Sequence, residues 1–366
     1  MSTLDKVSLL IDGHVHQAWE DYDIESDLLT PSDAWSVELA VNSKPLPAFV
    51  KPWSQVTIKI GNDTVLVGRV DEISENVDKK SHSLTMCGRD NASILVDCAA
   101  PIFTARLVSL QDIMAKVVKP LGITKFRVDA AATRTREKVN VEPGDRAWDA
   151  LQNAAEANGL WPWFTPDGVL VVGGPDYDAE PVATIVMRKD GKGNNAQSMT
   201  RRVNVSNQFS EYTVLGQTHG TDTELGKNSL KATARDESVG WYRPNLTVDH
   251  ESDSTAVCRD RARKLLSDSR LSAFDLDVLV KGHRIKDGGA LWTPGQRVQI
   301  INETLEIEGI FFLMSRRFKG GREGTRTYLK FKEDGLWTLD AHPHKRKHRR
   351  GKNNAPGAIV DVSADQ

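Results

Sequence analysis

The chain has 366 residues and a formal net charge of −2 at pH 7, with 39% hydrophobic and 27% charged residues. These proportions are ordinary for a soluble globular protein, and the length predicts about two to four domains. A charge so close to zero argues against proteins that bind nucleic acid along their whole length, which need a broad excess of Lys and Arg. It also argues against disordered acidic proteins.

The cysteines and the N-terminal segment bear on the compartment. Cys87, Cys98 and Cys258 are odd in number and lack metal-ligand spacing, so we expect buried free thiols in a reducing compartment. Residues 1–13 have neither the basic start nor the apolar core of a signal peptide. No apolar run approaches the ~20 residues of a membrane helix. We therefore expect a protein made and folded in the cytoplasm, without membrane insertion.

Alternating apolar residues mark short strands in the first hundred residues. Val7, Leu9 and Ile11 alternate before an Asp12-Gly13 turn, and similar runs follow at 35–41, 56–60, 64–70 and 84–86. Several short strands separated by turns, each with one apolar face, are typical of a small closed barrel or sandwich. We predict a first β-barrel domain over residues 1–100.

The apolar period becomes helical after residue 109. Ser109 fits an N-cap and Pro120 ends the run, and one helical face carries Leu110, Ile113, Met114, Val117 and Val118. A second helix opens at Pro143-Gly144-Asp145 with Trp148 on its inward face, and a hairpin follows over 160–172. We predict an α/β insert over residues 101–175.

Strand patterns return in the second half of the chain. Residues 173–200 are rich in Gly, Asp, Asn and Lys and are expected to form a linker with a long loop. The polar residues 217–240 are expected to form another loop. A helix is predicted over Ser252–Ser269, and strands over about 276–332. We predict a second β-barrel domain over 176–340, with a helix-containing insertion around 231–272. The fold class is therefore α+β, mainly β.

The last segment, 341–366, differs in composition from the rest. Six Lys and Arg lie between Lys345 and Lys352, and Gly, Asn and Pro follow. Such a composition predicts a basic disordered tail. Two roles fit it equally: contact with DNA or an acidic partner, and flexible solubilisation.

An internal repeat relates the two predicted barrels. Residues 56–90 and 298–334 both begin with a Val-x-Ile strand downstream of a Trp, at Trp53 and Trp292. Both then pass through a polar turn, a long apolar strand, a charged loop and a final alternating strand. The alternative is chance similarity between two meander hairpins. If the repeat is real, the chain holds two related barrels with the other segments inserted between them.

The motifs of common enzymes are missing from the sequence. It has no Gly-x-Ser-x-Gly, no His-Glu-x-x-His and no phosphate-binding glycine loop, since Gly191-Lys192-Gly193 lacks a third glycine and a preceding strand. His14 and His16 could share a strand face and bind a metal, but surface histidines are the simpler interpretation. We predict no catalytic, cofactor-binding or metal site, and no enzymatic activity.

Two further clusters have both a functional and a structural interpretation. An acidic cluster could supply paired carboxylates for glycoside hydrolysis, although a solvated strand edge or loop explains it better; it comprises Glu20, Asp21, Asp23, Glu25 and Asp27. An aromatic run could stack on bases, although a place in the core of the α/β unit is favoured; it comprises Trp161, Trp163 and Phe164.

Three stretches, in this order, resemble a known family. They are Tyr22–Leu39, Glu142–Val172 and Gly282–Val298, and the chain over about 5–335 is similar to the Mu-like baseplate hub family, related to the late control protein D group of phage tails. The middle stretch also looks like a LysM repeat. Residues beyond Ala341 are not covered by the resemblance.

The resemblance implies a structural function. It implies a homotrimeric hub of a contractile phage tail or tail-like particle that adapts the six-fold tail tube to the three-fold central spike. Its partners would be the spike and tube proteins, with baseplate wedge and tape-measure proteins further out, and no specific nucleic acid. Its place would be the virion baseplate, after assembly in the host cytoplasm. Two alternatives remain: a peptidoglycan-binding or cell-wall-degrading tail protein, and a spike component of a bacterial secretion system.

Overall fold

In the computed structural model, the described residues are 6–17, 19–40, 50–79, 82–129, 136–141, 144–156, 160–217, 230–249, 254–321 and 324–337. The basic tail predicted at 341–366 lies outside them. The fold is mainly β, as the alternating patterns predicted, with helices confined to two inserted segments. None of the helices described is long and apolar enough to span a membrane.

Seven strands build the first barrel. They are β1 (Val7–Ile11), β2 (His14–His16), β3 (Asp21–Asp27), β4 (Ala34–Ala40), β5 (Gln55–Ile60), β6 (Asp63–Val77) and β7 (His82–Asp90). They pair antiparallel in the order β3-β4-β7-β6-β5-β1-β2. The alternating residues Val56, Ile58 and Ile60 are all buried, so the period-two pattern marks the core face.

The α/β insert follows the first barrel. It contains α1 (Ser93–Asp97), β8 (Phe103–Val108), α2 (Leu110–Val118), a 3-10 turn (Lys119–Leu121), β9 (Phe126–Asp129), β10 (Arg136–Val141), α3 (Ala147–Glu156), β11 (Trp161–Phe164) and β12 (Leu170–Gly173). The predicted start of α2 is confirmed, because Ser109 Oγ accepts a hydrogen bond from the Asp112 backbone N while the Asp112 carboxylate accepts one from Ser109 N. The apolar faces of α2 and α3 meet in a core of their own, which includes Trp148.

The second half of the chain opens with five strands, of which β13, β14 and β16 lie at least partly where a linker and a loop were predicted. They are β13 (Ala183–Met187), β14 (Ala196–Val203), β15 (Glu211–Gly216), β16 (Leu230–Arg235) and β17 (Pro244–Val248). β15, β16 and β17 form a small sheet against α4 (Thr255–Ala273), and this sheet starts at Glu211, ahead of the expected boundary near 231. The loop predictions for 173–200 and 217–240 are wrong over β13, β14 and β16. The polar surface strands among them lack the apolar alternation that marks a core strand.

Four more strands complete the second barrel. They are β18 (Phe274–Lys281), β19 (Arg297–Asn302), β20 (Ile307–Gly320) and β21 (Arg326–Glu333). With β13 and β14 they pair in the order β14-β18-β21-β20-β19-β13. Between β13 and β14, Asn195 N donates to Val186 O at 3.2 Å and Val186 N donates to Asn195 Oδ1 at 2.7 Å, which holds the first and last strands of this order together.

The internal repeat is confirmed in its strand order. Five antiparallel strands follow the same path in both barrels, β3-β4-β7-β6-β5 and β14-β18-β21-β20-β19. Each long strand has one extra residue opposite its neighbour at the same place, Asp71 in β6 and Met314 in β20. The barrels differ in the sixth strand, since β1 is antiparallel to β5 whereas β13 is parallel to β19.

Candidate assembly interface

One strand pair joins the two barrels. β3 lies antiparallel to the second half of β20, from Asp27 opposite Ser315 to Tyr22 opposite Gly320. The same half of β20 pairs on its other side with β21, so one sheet runs through both barrels. Their buried apolar residues form one continuous core, in which Ile24 and Phe318 face each other across the pair. We call this strand pair the barrel junction.

Opposite charges face each other along the barrel junction. Arg317 makes a two-point contact with Asp23, with Nε–Oδ1 at 2.7 Å and Nη2–Oδ2 at 2.6 Å, and Lys319 Nζ lies 3.1 Å from Asp23 Oδ2. Hydrogen bonding to Asp23 raises the pKa of Arg317. The acidic cluster seen in the sequence is therefore not a solvated strand edge, because β3 has a paired strand on each side. Within the cluster, Asp23 supplies the negative charge of the contact between the two barrels, whereas Glu20 and Asp21 are exposed.

A buried polar cluster lies beneath the junction. The Arg316 guanidinium is buried, 4.1 Å from the centroid of the Phe318 ring, with long hydrogen bonds of 3.4 Å to Ile24 O and 3.3 Å to Val65 O. Burial lowers the pKa of Arg316 to about 10. Asp33 keeps some accessible surface toward a cavity of about 110 Å³, yet burial raises its pKa to about 6, against the opposing effects of a Ser26 hydrogen bond and the Arg316 charge.

Asp90 completes this cluster. Its Oδ1 accepts hydrogen bonds from Ser32 Oγ at 2.7 Å and from Ala92 N at 3.0 Å. Burial, and then the charge of Asp33, raise the pKa of Asp90 well above its ordinary value. Asp33 follows β3, Asp90 ends β7 and Arg316 lies in β20, while 163–166 of the insert line the same cavity. The cluster thus connects three parts of the chain.

A buried histidine supports the junction from the other end. His283 is fully buried, with its Nε2 2.8 Å from the Tyr22 hydroxyl and its Nδ1 3.0 Å from Thr327 Oγ1. Burial, followed by the Arg316 charge, lowers the pKa of His283 to about 3, so the ring is neutral at physiological pH. A Cβ on Gly320 would lie 2.2 Å from Tyr22 Cζ, so the position of the Tyr22 ring against this strand requires glycine there.

The remaining sequence candidates do not assemble into a site. His14 is exposed and His16 partly so, and among the residues described no group of three His, Cys, Asp or Glu could hold a metal ion. Gly191-Lys192-Gly193 lies on the exposed turn between β13 and β14. Trp161 is buried between the insert and the second barrel, where its Nε1 donates to Leu28 O at 2.6 Å. Cys258 is buried, whereas Cys87 and Cys98 are only half-buried, and these three cysteines are not joined in disulfides.

The sequence did not single out the Arg316, Asp33 and Asp90 cluster. The only available signal was a pair of arginines, Arg316 and Arg317, at the end of the apolar run 310–314. One of two consecutive strand residues must face the core, so a buried charge could have been predicted there, but not its partners.

Four family models match successive parts of the chain. Residues 6–90 match the N-terminal part of Mu phage baseplate assembly protein GpP-like proteins, and 92–174 match the second domain of baseplate hub protein gp44-like proteins. Residues 208–266 match the third domain of NMB1110-like tail proteins, and 268–336 match a C-terminal domain of tail proteins.

Whole-chain comparisons agree with these matches. The baseplate hub protein gp44 of Escherichia phage Mu is 25% identical over 97% of this chain and 95% of its own length. A 43 kDa tail protein of prophage MuSo2 from Shewanella oneidensis is 22% identical and shares the fold, with a TM-score of 0.81 over 90% of this chain and 99% of its own.

The crystal structure of the tail protein from Neisseria meningitidis MC58 has the higher identity, 36%, with a TM-score of 0.82 over 92% of this chain and 99% of that one. A likeness of this degree spans both barrels, the α/β insert and the α4 segment together. The chain belongs to the Mu-like baseplate hub family of phage tail proteins.

Proposed function

We propose that this chain is the structural hub of the baseplate of a contractile phage tail or tail-like particle, where three copies join the six-fold tail tube to the three-fold central spike. The observation that carries the proposal is the pair of barrels with the same five-strand order on one chain. The family relationship supports the hub function itself.

The tail tube and the central spike of such a particle would differ in symmetry. A six-fold ring and a three-fold spike can share an axis only through a layer that presents both symmetries. Three chains with two similar barrels each place six similar surfaces around one axis. The α/β insert and the α4 segment occur once per chain, so they keep three-fold symmetry.

This assignment divides the chain by role. The barrels, within 1–100 and 176–340, would face the tail tube. The inserts at 101–175 and around 231–272 would lie further from the axis or toward the spike. Wedge and tape-measure proteins are the further partners. The protein would reside in the virion baseplate, after assembly in the host cytoplasm.

We further propose that the hub is not an enzyme. Asp23 contacts Arg317 Nη2 at 2.6 Å and Lys319 Nζ at 3.1 Å, and a carboxylate held in two ion pairs is a poor general acid or nucleophile. Turbidity of purified cell walls should therefore stay constant when the protein is added. Lysis that disappears in Glu20→Ala, Asp23→Ala or Glu25→Ala would support the cell-wall enzyme instead.

Electron microscopy of the protein assembled with its spike tests the hub function. The expected image is a ring with an open centre and six similar lobes. A three-fold axis should relate every second lobe. A ring of another symmetry, or barrels at two different radii, would contradict the proposal.

A further inference from the structure

We infer that the free edge of β6 in one copy pairs antiparallel with β14 of the next copy, in the register that the barrel junction sets. The partner is thus a second copy of this chain. This inference rests on the proposed hub function and specifies how neighbouring copies meet.

The two barrels leave matching edges. In β20, the first half pairs with β19 and the second half with β3. In β6, which is equivalent to β20, the first half pairs with β5, but Glu72–Val77 has only β7 beside it among the described strands. β14, which is equivalent to β3, pairs only with β18 within the described part of the chain. Among the described strands, one edge of the second half of β6 and one edge of β14 therefore both lack a neighbour. These two correspond to the second half of β20 and to β3, which pair in the barrel junction.

The extra residues of the long strands fix the equivalence. When Asp71 of β6 is aligned with Met314 of β20, Arg69 aligns with Phe312. Gln55 lies opposite Arg69 and Arg297 lies opposite Phe312, so Gln55 and Arg297 occupy equivalent positions. This agrees with the repeat of Val56 and Val298 in the sequence. Residues Glu72–Val77 of β6 then correspond to Ser315–Gly320 of β20.

The same reasoning aligns β14 with β3. Trp35 lies opposite Gly88 and Leu276 opposite Phe331, so these two residues are equivalent. Ile24 pairs with Trp35 as Arg201 pairs with Leu276, which makes Arg201 the equivalent of Ile24.

Transferring the barrel junction to β6 and β14 gives a defined register. Ile24 lies opposite Phe318, so Arg201 of one copy should lie opposite Glu75 of the next. Two residues away on either side, Ile73 lies opposite Val203 and Val77 opposite Met199. The three pairs are apolar, ionic and apolar.

This register accounts for apolar side chains that are otherwise exposed. Val77 is 70% and Val203 is 63% exposed in the single chain. Ile73 and Met199 are partly buried at the rim of the barrel core, so the new pairs would extend that core across the contact. Opposite charges and apolar pairs directly across an antiparallel pair stabilise it. A shift of two residues would place Arg201 opposite Ile73 or Val77 and lose all three matches.

The charges of the two contacts are reversed. In the barrel junction β3 is acidic, with Asp23 and Glu25, and β20 is basic. In the inferred contact β6 is acidic, with Glu72 and Glu75, and β14 is basic, with Arg201 and Arg202. The acidic β6 would be repelled by the acidic β3 of another copy. The basic β14 would likewise be repelled by the basic β20. First barrels therefore meet only second barrels, and the copies follow one another head to tail.

Charge exchange tests the inference in the full chain assembled with its spike. Glu75→Arg or Arg201→Glu alone should weaken ring formation about tenfold, and the two together should restore it. Glu237→Arg, on an exposed turn outside the contact, is the matched control and should leave ring formation unchanged. Equal behaviour of the two single variants and this control would overturn the inference.

Cross-linking tests the register. Asn76→Cys with Thr200→Cys should give a disulfide between isotopically distinct chains, identified by mass spectrometry. Glu72→Cys with Ser198→Cys, six residues out of register, should not. A three-fold ring without the first cross-link would refute the strand pairing and leave the hub function standing. Cross-linked chains that never close into a ring would support the strand pairing and refute the hub function. Protein that stays monomeric at all concentrations, even with the spike present, would refute both the strand pairing and the hub function.

Discussion

Phe318→Ala should destabilise both barrels together. Phe318 is fully buried in β20, opposite Ile24 of β3, with its ring centroid 4.6 Å from that of His283 and 4.1 Å from Arg316 Cζ. Truncating a buried Phe costs ~3–5 kcal/mol, and here a desolvated cation–π contact worth up to ~2 kcal/mol is lost with it. We expect a loss near the upper end, about 4–5 kcal/mol.

Hydrogen exchange with mass spectrometry measures this loss in each barrel. A loss of about 4 kcal/mol corresponds to roughly thousandfold faster exchange where exchange requires global unfolding. The exchange rates of peptides from β7 in the first barrel and β21 in the second should rise by the same factor, because the two barrels share one core. Tyr328→Ala, which removes a ring that is 42% exposed on β21, is the control and should cost less than about 1 kcal/mol. Acceleration confined to the second barrel would refute the idea of a single cooperative unit.

Three further predictions concern single residues or segments. Burial raises the pKa of Asp33 from 3.8 to about 6, so the folded chain keeps a proton that the unfolded chain has released. Stability should therefore fall as pH rises from about 4 to 6, and Asp33→Asn should remove about 1–2 kcal/mol of that fall in urea titrations, whereas an unchanged pH profile would contradict the assignment. Trp148→Ala should cost ~3–5 kcal/mol within the α/β insert, because Trp148 is buried and its Nε1 donates to Gln152 Oε1 at 2.9 Å; Trp148→Phe should cost clearly less in the same calorimetric scan. Truncation after Asp340 should leave the Tm unchanged, since six basic residues followed by Gly, Asn and Pro bury little apolar area, and a large drop in Tm would show that the tail contributes to the fold.

The strands that the sequence predicted are those with a buried face. Val56, Ile58 and Ile60 alternate because every second side chain enters the core, and α2 was predictable from its apolar face and its Ser109 cap. β14 was missed because its eight residues, AQSMTRRV, are mostly exposed and bear no apolar alternation. β14 is stabilised by backbone hydrogen bonds to β18, and backbone pairing does not depend on a particular pattern of side chains.

The barrel junction was predictable only in part. The repeat of 56–90 and 298–334 was visible because both segments keep the same core face. The contact of Asp23 with Arg317 was not, since it joins residues 294 positions apart through a register that no local pattern encodes. The acidic cluster could be recognised as unusual, but its basic partners could be identified only from the fold.

Carrying both barrels on one polypeptide has a consequence for how such a ring is made and how it evolves. The two kinds of barrel are synthesised in equal numbers, and the tether holds each at a high effective concentration for its neighbour, so only half of the contacts in the ring depend on diffusion. If the two barrels arose by duplication, their covalent link would have let each half diverge without losing its partner. The sixth strand, antiparallel beside β5 and parallel beside β19, is the place where the two strand orders differ. In the proposed ring this difference would recur at every second barrel, so the ring would keep a three-fold marker that a hexamer of one barrel would lack.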